Sequence, residues 1–346
     1  MAEDLVRIIE NLYRNAHGTI SWKGHISAPF PTPAGVRQGC PISPSLFNIY
    51  TECIMRKWHE RTNHLLSPNV DGCASKEQRY ADDLVLMALS AADAEEMLKT
   101  LGDIADDYGL MIHPDKTEYM VIQTSMSDDT ISYRESPLKR TSEFKYLGTY
   151  ITYNLNDSRE IRARVAMTKA TLNNCAYLKS NHISMDVKLH LTKALVASRL
   201  TYGCSTWTIK ATDMNRLDAF GREIWRRLLG LTWKDHVSND ELRTQIAGRW
   251  LFSSETVLQR KAKWCGHAAR YGGLTSAVLS GLPYGRNRKP GRPHLRWIDN
   301  LTKWSGHSAN QLLEDGRGRI NITKSCEPEI VYILRGGRRA NLAYDY

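Results

Sequence analysis

The chain of 346 residues lacks the features that would assign it to a membrane or to the secretory pathway. No apolar run approaches the ~20 residues that a membrane-spanning helix requires, and the run from Leu84 to Leu89 is short. The first residues contain no signal-peptide core. We therefore expect a protein inside the cell, in the nucleus or the cytoplasm, that is neither secreted nor bound to a membrane.

Paired cysteines are also missing. The seven cysteines are scattered, odd in number and free of C-x-x-C pairs, which argues against a disulfide framework. The segment Cys265-Gly266-His267 could be half of a zinc site, but no second pair with ligand spacing follows it. Buried thiols and an ordinary histidine are the favoured interpretation.

Charge is distributed unevenly along the chain, whose formal net charge is +10. Residues 1–150 contain 15 Lys and Arg against 21 Asp and Glu, whereas residues 151–346 contain 32 against 16. Cationic regions attract polyanions, and carboxylates can hold metal ions. This distribution suits a protein whose basic region binds a polyanion while its acidic region acts on it with metal ions. A basic protein of another kind would show the same balance of charge.

Two adjacent aspartates, Asp82 and Asp83, stand at the boundary of two short apolar runs. Adjacent carboxylates repel each other and strands normally exclude aspartate, so we predict a tight hairpin turn here. A divalent metal between the carboxylates and a phosphate is the usual way to hold such charges together. The pair therefore indicates metal-assisted phosphoryl or nucleotidyl transfer. A metal-dependent nuclease has less support because no further His, Asp and Glu cluster is visible.

Apolar periodicity predicts an α+β fold that ends near residue 153. The predicted helices cover residues 3–16, 44–61 and 94–108. Strands are expected on both sides of the aspartates and near 117–122, 131–134 and 144–152. A Gly- and Pro-rich loop separates the first two helices.

Beyond residue 153 the pattern becomes helical, with apolar residues at steps of three and four. The predicted divisions are 1–153, 154–235, 236–315 and 316–346, the third being helical and basic. The last division lacks a clear period and contains Arg-Gly-Gly-Arg-Arg, so we expect it to be disordered.

Two further features of the helical part have more than one interpretation. Its tryptophans belong to a core or stack on bases. The basic loop at 284–297 would suit phosphate contacts, nuclear import or a solvated linker.

Four segments in order form a specific set. They are Gly35–Pro44, Tyr80–Asp83, Gly109–Glu118 and Phe144–Gly148. Together they resemble motifs B, C, D and E of the reverse transcriptase palm. The Arg-Gln-Gly-Cys-Pro sequence and the later stretch Leu200–Trp207 are similar to the enzymes of non-LTR, LINE-type retrotransposons. The resemblance covers roughly residues 1–305.

This resemblance implies part of a right-hand polymerase palm, an antiparallel sheet with packed helices, followed by a mostly α-helical thumb and C-terminal region. It implies RNA-templated DNA synthesis with Mg²⁺ or Mn²⁺ as the cofactor. The expected partners are an RNA template, a DNA primer and their RNA–DNA hybrid, with deoxynucleoside triphosphates as substrates. The basic residues of the thumb would follow the duplex phosphates.

The same resemblance gives the paired aspartates a catalytic role. Asp82 would be a metal ligand, and Asp83 would support it or ligate less directly. Tyr80 and Ala81 would lie beside the template–primer near the reacting atoms.

Further contacts follow from the other motifs. Arg37, Gln38 and Gly39 would contact the incoming nucleotide and the templating base, although a plain surface turn remains the alternative. Lys116 would protonate or neutralise the leaving pyrophosphate, or it is a solvated lysine. The primer grip would be formed by Phe144, Tyr146, Leu147 and Gly148.

Motif A of this family carries another aspartate, which we expect upstream of the helix at 3–16 and therefore not among these residues. Two functions stay open. The chain is either a reverse transcriptase fragment with impaired activity or a non-catalytic RNA- and DNA-binding remnant of a retroelement.

Overall fold

A computed structural model describes most of the chain: residues 3–32, 34–70, 73–122, 129–180, 182–246, 253–271, 275, 295–314 and 331–339. Up to Thr152 helices alternate with strands, and from Ser158 to Glu314 all the regular elements of the described residues are helices. The α+β fold class that the sequence predicts is therefore confirmed. No helix in the described part combines the length and hydropathy that crossing a bilayer requires.

Three helices belong to the α+β part: α1 (Glu3–Tyr13), α2 (Ser43–Arg61) and α3 (Ala91–Asp107). The Ser90 side chain caps α3 by accepting a hydrogen bond from the Asp93 amide at 3.0 Å. Helices α2 and α3 bury one face each, whereas α1 buries none and exposes Leu5, Ile8 and Leu12.

The strands of this part are short. They are β1 (His17–Gly18), β2 (Ser21–Trp22), β3 (His25–Ile26), β4 (Phe30–Pro31), β5 (Asn69–Val70), β6 (Cys73–Ala74), β7 (Glu77–Tyr80), β8 (Asp83–Ala88), β9 (Met111–Ile112), β10 (Glu118–Ile122), β11 (Ser132–Tyr133), β12 (Ser136–Pro137), β13 (Lys139–Arg140), β14 (Glu143–Tyr146) and β15 (Thr149–Thr152).

The largest sheet contains a strand from the far end of the chain. Its order is β13–β10–β16–β8–β7, where β16 is Val331–Arg339, and β9 also pairs with β16. The sequence predicts disorder over 316–346, and the structure differs from that expectation at Val331–Arg339. The reason is that the first residues of this segment are apolar and lie beside two buried strands. The rest of the predicted disordered tail lies outside the described residues.

The two faces of this sheet have separate cores. Leu84, Leu86 and Ala88 of β8 pack with the buried faces of α2 and α3. The Trp58 indole of α2 donates a hydrogen bond to the Met97 carbonyl of α3 at 2.9 Å. On the opposite face Val85 packs with residues of the β14–β15 hairpin. The sheet therefore separates a helix side from a hairpin side.

The helical part of the chain begins with α4, which follows β15. Its helices are α4 (Ser158–Asn173), α5 (Met185–Thr192), α6 (Ser198–Leu200), α7 (Ala211–Leu228), α8 (Asn239–Ile246), α9 (Ser254–Tyr271), α10 (Asp299–Ser305) and α11 (Ala309–Glu314). A π-helical turn at Lys193–Ala197 joins α5 to α6. Trp207 and Trp225 lie in the core of this region, as the core interpretation of the tryptophans predicts.

A fully buried lysine joins the last helices to this core. Lys261 of α9 donates hydrogen bonds to the Trp207 carbonyl and, at 3.4 Å, to Asn300 of α10, and its ammonium lies 4.2 Å from the centre of the Trp297 ring. Burial lowers the pKa of Lys261 to about 7. Burial thus destabilises the charged form of Lys261 in the folded protein, and below about pH 7, where the lysine is charged, this lowers the stability of the fold.

We expect the free energy of unfolding to rise by about 2 kcal/mol between pH 7 and pH 9 because of Lys261. In this range the unfolded lysine, with an ordinary pKa of 10.5, binds more protons than the folded one, so stability is lost as the pH falls towards 7. Urea unfolding at several pH values measures the effect, and Lys261→Met should remove the rise. Burial raises the pKa of the Cys204 thiol to about 11. Above pH 9 this thiol would lower the free energy of unfolding as the pH rises, so the comparison ends at pH 9. An equal rise in the variant would contradict this assignment.

Candidate active site

The paired aspartates lie at the tip of the β7–β8 hairpin. Tyr80 pairs with Asp83, which leaves Ala81 and Asp82 as the turn. Ala81 has a φ of +53°, which lies in the left-handed region that disfavours a side chain with a Cβ atom. Asp82 is exposed at the turn, whereas Asp83 is half-buried as the first residue of β8. The prediction of a tight turn is correct for Asp82, and Asp83 begins the strand instead.

The β14–β15 hairpin lies beside this turn. Burial and the nearby negative charge of Asp83 both raise the pKa of the Tyr146 hydroxyl. Phe144 is 5% exposed and packs on Val85 and Met120 beneath the hairpin. Phe144 therefore anchors the hairpin, while the Tyr146 hydroxyl lies within the electrostatic range of Asp83.

A groove borders the other side of the turn. Its volume is about 720 Å³, and residues of α2 and of β7, among them Tyr80, form its walls together with Ala81 of the turn. Arg79 holds these walls together through ion pairs to Glu52 at 2.7 Å and to Glu77 at 3.1 Å. Tyr80 itself is 65% exposed and available to a ligand in the groove.

The glycine-rich loop before α2 is held by its arginine. The Arg37 guanidinium donates a hydrogen bond to the Leu12 carbonyl of α1 at 2.6 Å and lies over the Tyr13 ring. The Arg37 carbonyl accepts a hydrogen bond from Ser43 at 2.7 Å. Gln38 and Gly39 stay exposed, and the φ of +80° at Gly39 favours glycine. Arg37 thus positions the loop, and the predicted nucleotide contacts of the three residues remain predictions.

Lys116 lies in a short 3₁₀ turn, Pro114–Lys116, between β9 and β10. The turn is closed by a hydrogen bond of 2.9 Å from the Thr117 hydroxyl to the His113 carbonyl. The Lys116 side chain is exposed, so it is free to meet an anionic ligand. Its role with pyrophosphate stays a prediction.

The tip of the β14–β15 hairpin consists of Leu147 and Gly148, with φ values of +46° and +79°. Both values suit the twist of a two-residue hairpin turn. The Tyr202 hydroxyl donates a hydrogen bond of 2.7 Å to the Leu147 carbonyl. A Cβ atom on Gly148 would stand 3.5 Å from the Tyr202 ring, so the turn and the ring already fit closely.

A buried ion pair on α4 fixes the same hairpin. Glu160 is fully buried, pairs with Arg164 and accepts a hydrogen bond of 2.8 Å from the Tyr150 amide. Arg164 donates to the Gly148 carbonyl and stacks on the Tyr202 ring. The α+β part and the helical part therefore meet at this pair. The motifs do not reveal Glu160, Arg164 or Tyr202 as functional, although the spacing of Glu160 and Arg164 by one helical turn is a usable signal.

The oxygen atoms of Asp82 and Asp83 fit a hard divalent cation. Mg²⁺ is commonly held by one or two carboxylates together with substrate phosphates and water. Among the described residues no three His, Cys, Asp or Glu side chains come together as a metal cluster. The pair could therefore hold a cation with a nucleotide, but it supplies two carboxylates and not three.

Several known proteins are similar to this chain in sequence. A family model described as "Reverse transcriptase (RNA-dependent DNA polymerase)" matches residues 3–151. A transposon-derived protein of Caenorhabditis elegans is 29% identical over 243 residues, covering 68% of this chain and 86% of that protein. The RNA-directed DNA polymerase from the mobile element jockey of Drosophila funebris is 25% identical, covering 67% of this chain and 26% of that polymerase.

The chain thus contains a reverse transcriptase domain at residues 3–151. The chain is similar to the reverse transcriptases of non-LTR retrotransposons: its relatives include jockey and the type-2 retrotransposable element R2DM of Drosophila melanogaster, 28% identical over 48% of this chain. The chain spans 17% of the R2DM polyprotein and 26% of the jockey polymerase.

We expect Arg164→Met to lower the free energy of unfolding by about 3 kcal/mol, because it leaves the buried Glu160 carboxylate without its partner. Urea unfolding measures the loss, and hydrogen exchange at the Tyr150 amide should become faster. Arg162→Met, on the exposed side of the same helix, is the matched control and should change stability by less than about 0.5 kcal/mol. Equal stability of the two variants would exclude Arg164 as the residue that fixes the hairpin.

Proposed function

We propose that the chain carries the palm and thumb of an RNA-directed DNA polymerase and acts on a DNA primer paired to an RNA template, in the nucleus or the cytoplasm. One observation carries this proposal: the β7–β8 hairpin that ends in the Asp82–Asp83 turn packs on the β14–β15 hairpin through Val85 and borders a groove of about 720 Å³ at Tyr80 and Ala81. A primer end and a nucleotide both need space beside the same carboxylates.

The proposed chemistry is in-line attack of the primer 3′-hydroxyl on the α-phosphate of a nucleotide. Bound divalent cations would stabilise the attacking and leaving oxygens. Asp82 and Asp83 would hold these cations, and the left-handed backbone of Ala81 presents Asp82 at the turn. Lys116 would neutralise or protonate the leaving pyrophosphate from its exposed turn.

Polymerisation of this kind needs more oxygen ligands than the pair offers. A two-metal site places its cations ~4 Å apart and clamps both reacting oxygens. The described residues supply Asp82 and Asp83 but no cluster of three metal-binding side chains. We therefore propose that this polypeptide by itself is a weak polymerase and that a further carboxylate is required for full activity.

The helical part would serve as the thumb through α4. Several basic side chains expected to follow the duplex are engaged within the protein: Arg159 pairs with Glu143, Arg164 with Glu160 and Lys169 with Glu223. Arg162 is exposed and has no acidic partner among the described residues. Arg162 is therefore the residue of α4 that we propose to contact phosphate.

Metal binding gives the first test. We expect Mn²⁺ to bind in the presence of a deoxynucleoside triphosphate, and Asp82→Asn to weaken that binding by tenfold or more because a charged ligand is lost. Electron paramagnetic resonance of free Mn²⁺ measures it. Glu135→Gln removes a carboxylate from another exposed hairpin turn and is the control, for which no change is expected. Equal binding by both variants would contradict the metal role.

Binding to an RNA–DNA hybrid gives the second test. Affinity should fall steeply with salt, and Arg162→Ala should weaken binding and reduce the slope of log K against log [salt] by about 1. Fluorescence anisotropy at several salt concentrations measures both. Lys99→Ala on α3 is the control because α3 covers the opposite face of the sheet from the β14–β15 hairpin. Salt-insensitive binding would contradict the proposal.

The non-catalytic alternative makes the same prediction for the hybrid and a different one for the metal. A nucleic-acid-binding remnant would bind the hybrid normally while Asp82→Asn had no effect on Mn²⁺ affinity. The two measurements together therefore separate the functions.

A further inference from the structure

Helix α9 has two faces of different character. Its apolar face is buried: Val257 lies in the core of the helical part, and Cys265, Ala268 and Ala269 pack in a second cluster that includes Leu301 of α10. The opposite side of α9 is exposed to solvent. Because the buried face is anchored in two clusters, the exposed face is held in a fixed orientation.

The exposed face of α9 is cationic. Arg260, Lys263, His267 and Arg270 are all exposed. At 3.6 residues per turn they lie within a stripe of about 80° around the helix axis. Glu255 is the only acidic residue of α9 and stands in its first turn. It lies about 140° around the axis from Arg260 and is therefore outside this stripe.

The fixed charges of this face have no acidic partner. Arg260, Lys263 and Arg270 form no ion pair with an Asp or Glu in the parts of the chain that the structure describes. In α7, by contrast, Arg227 pairs with Glu223 at 2.7 Å. Like charges three or four positions apart on a helix repel each other. A bound polyanion would remove this repulsion.

The helix dipole accounts for only one of these cations. A positive charge in the last turn of a helix is stabilising, and Arg270 is in the last turn of α9. Arg260 and Lys263 lie in the middle of the helix, where the dipole has little effect. Their position therefore points to an external anion.

Aromatic rings lie among the cations. Tyr271 is 78% exposed, and its ring centre is 4.7 Å from that of His267. Trp264 is half-buried and packs edge to face against Trp297 at 5.5 Å. Exposed rings beside cations bind single strands, because the cations contact phosphates while the rings stack on unpaired bases. We name this surface the α9 stripe: Arg260, Lys263, Trp264, His267, Arg270 and Tyr271.

Two other polyanions fit the α9 stripe less well. A basic helix binds an anionic lipid surface by burying its apolar face in the lipid, but the apolar face of α9 is already buried in the protein. The bases of a duplex are stacked on one another, so a duplex offers no free base face to Tyr271. An unpaired strand offers both phosphates and free base faces.

The length of the α9 stripe suits a few nucleotides. Arg260 and Arg270 are ten residues apart, which corresponds to about 15 Å along the helix. Phosphates of one strand follow each other at about 3.4 Å along the axis when the bases are stacked. The stripe thus covers about four nucleotides, the lower end of the range known for single-strand sites.

We propose that the α9 stripe binds single-stranded nucleic acid, with Arg260, Lys263 and Arg270 on the phosphates and Tyr271 stacked on a base. RNA and DNA strands share the phosphates and base faces that this site uses, so both are ligands. The site contains neither the Asp82–Asp83 turn nor Arg162 of α4, and it is independent of the metal role.

Fluorescence anisotropy of the full chain with a labelled RNA strand of about 12 nucleotides tests the charges. The double variant Lys263→Gln, Arg270→Gln should weaken binding about tenfold at low salt. It should also reduce the slope of log K against log [salt] by about 1.4, since each lost phosphate contact of a single strand contributes about 0.7.

A second double variant, Arg61→Gln, Lys99→Gln, is the matched control. It removes the same charge from exposed positions on α2 and α3. It should change the affinity by less than about twofold, because charges away from the site are screened. Equal losses in the two double variants would overturn the site.

Substitution of Tyr271 tests the stacking without changing the charge. Tyr271→Leu removes the ring and should weaken binding of the RNA strand by about tenfold, whereas Tyr271→Phe keeps the ring and should bind normally. The position is exposed, so the thermal unfolding midpoint should be the same in both variants. Normal binding by Tyr271→Leu would exclude the stacking.

Other ligands distinguish the possible occupants. A DNA strand of the same sequence should show the same losses as the RNA strand. An RNA–DNA hybrid should bind Tyr271→Leu normally and Arg162→Ala weakly, and an equal loss of hybrid and single strand in Tyr271→Leu would contradict a site for unpaired nucleotides. If Lys263→Gln, Arg270→Gln loses binding to phosphatidylserine vesicles but keeps that to both strands, the surface binds lipid and the proposal is wrong.

Discussion

The pairing of Tyr80 with Asp83 across a two-residue turn is the constraint on which the candidate site depends. This register leaves Asp82 at the apex, forces Ala81 into a left-handed backbone and makes Asp83 the first residue of a buried strand. Strained backbone of this kind persists only where the surrounding structure enforces it. Here the enforcement comes from the buried residues of β8, so that the position of both carboxylates follows from the packing of the sheet.

The helical part of the chain contributes to the candidate site by fixing the position of the β14–β15 hairpin. Glu160 and Arg164 on α4, together with Tyr202, bond to the backbone of the β14–β15 hairpin. The hairpin in turn packs on β8, with Phe144 and Tyr146 against the cluster that contains Val85. A helix outside the matched reverse transcriptase domain thereby helps to shape the site within it.

The sequence predicts the local features of the fold well, and long-range ones poorly. The spacing of apolar residues locates α2 and α3, and the repulsion of two carboxylates predicts the turn at Asp82, because both signals are local. Nothing local indicates that Lys261 is buried or that Val331–Arg339 pairs with β8, since both depend on which segments meet in space. The Arg-Gly-Gly-Arg-Arg composition even favours disorder, and the apolar residues before it outweigh that tendency. The role of Arg37 in binding the end of α1 is equally invisible before the loop is folded.

The central proposal is that the Asp82–Asp83 turn belongs to a nucleotidyl-transfer site to which the described residues bring two carboxylates and not a cluster of three. Primer extension on an RNA template, with Mg²⁺ or Mn²⁺ and the full chain, tests it most directly. The account predicts a bound hybrid with no more than trace extension, and the trace should disappear in Asp82→Ala. Robust DNA synthesis by the unaltered chain that disappears in Asp82→Ala would show that the site is complete and contradict the claim.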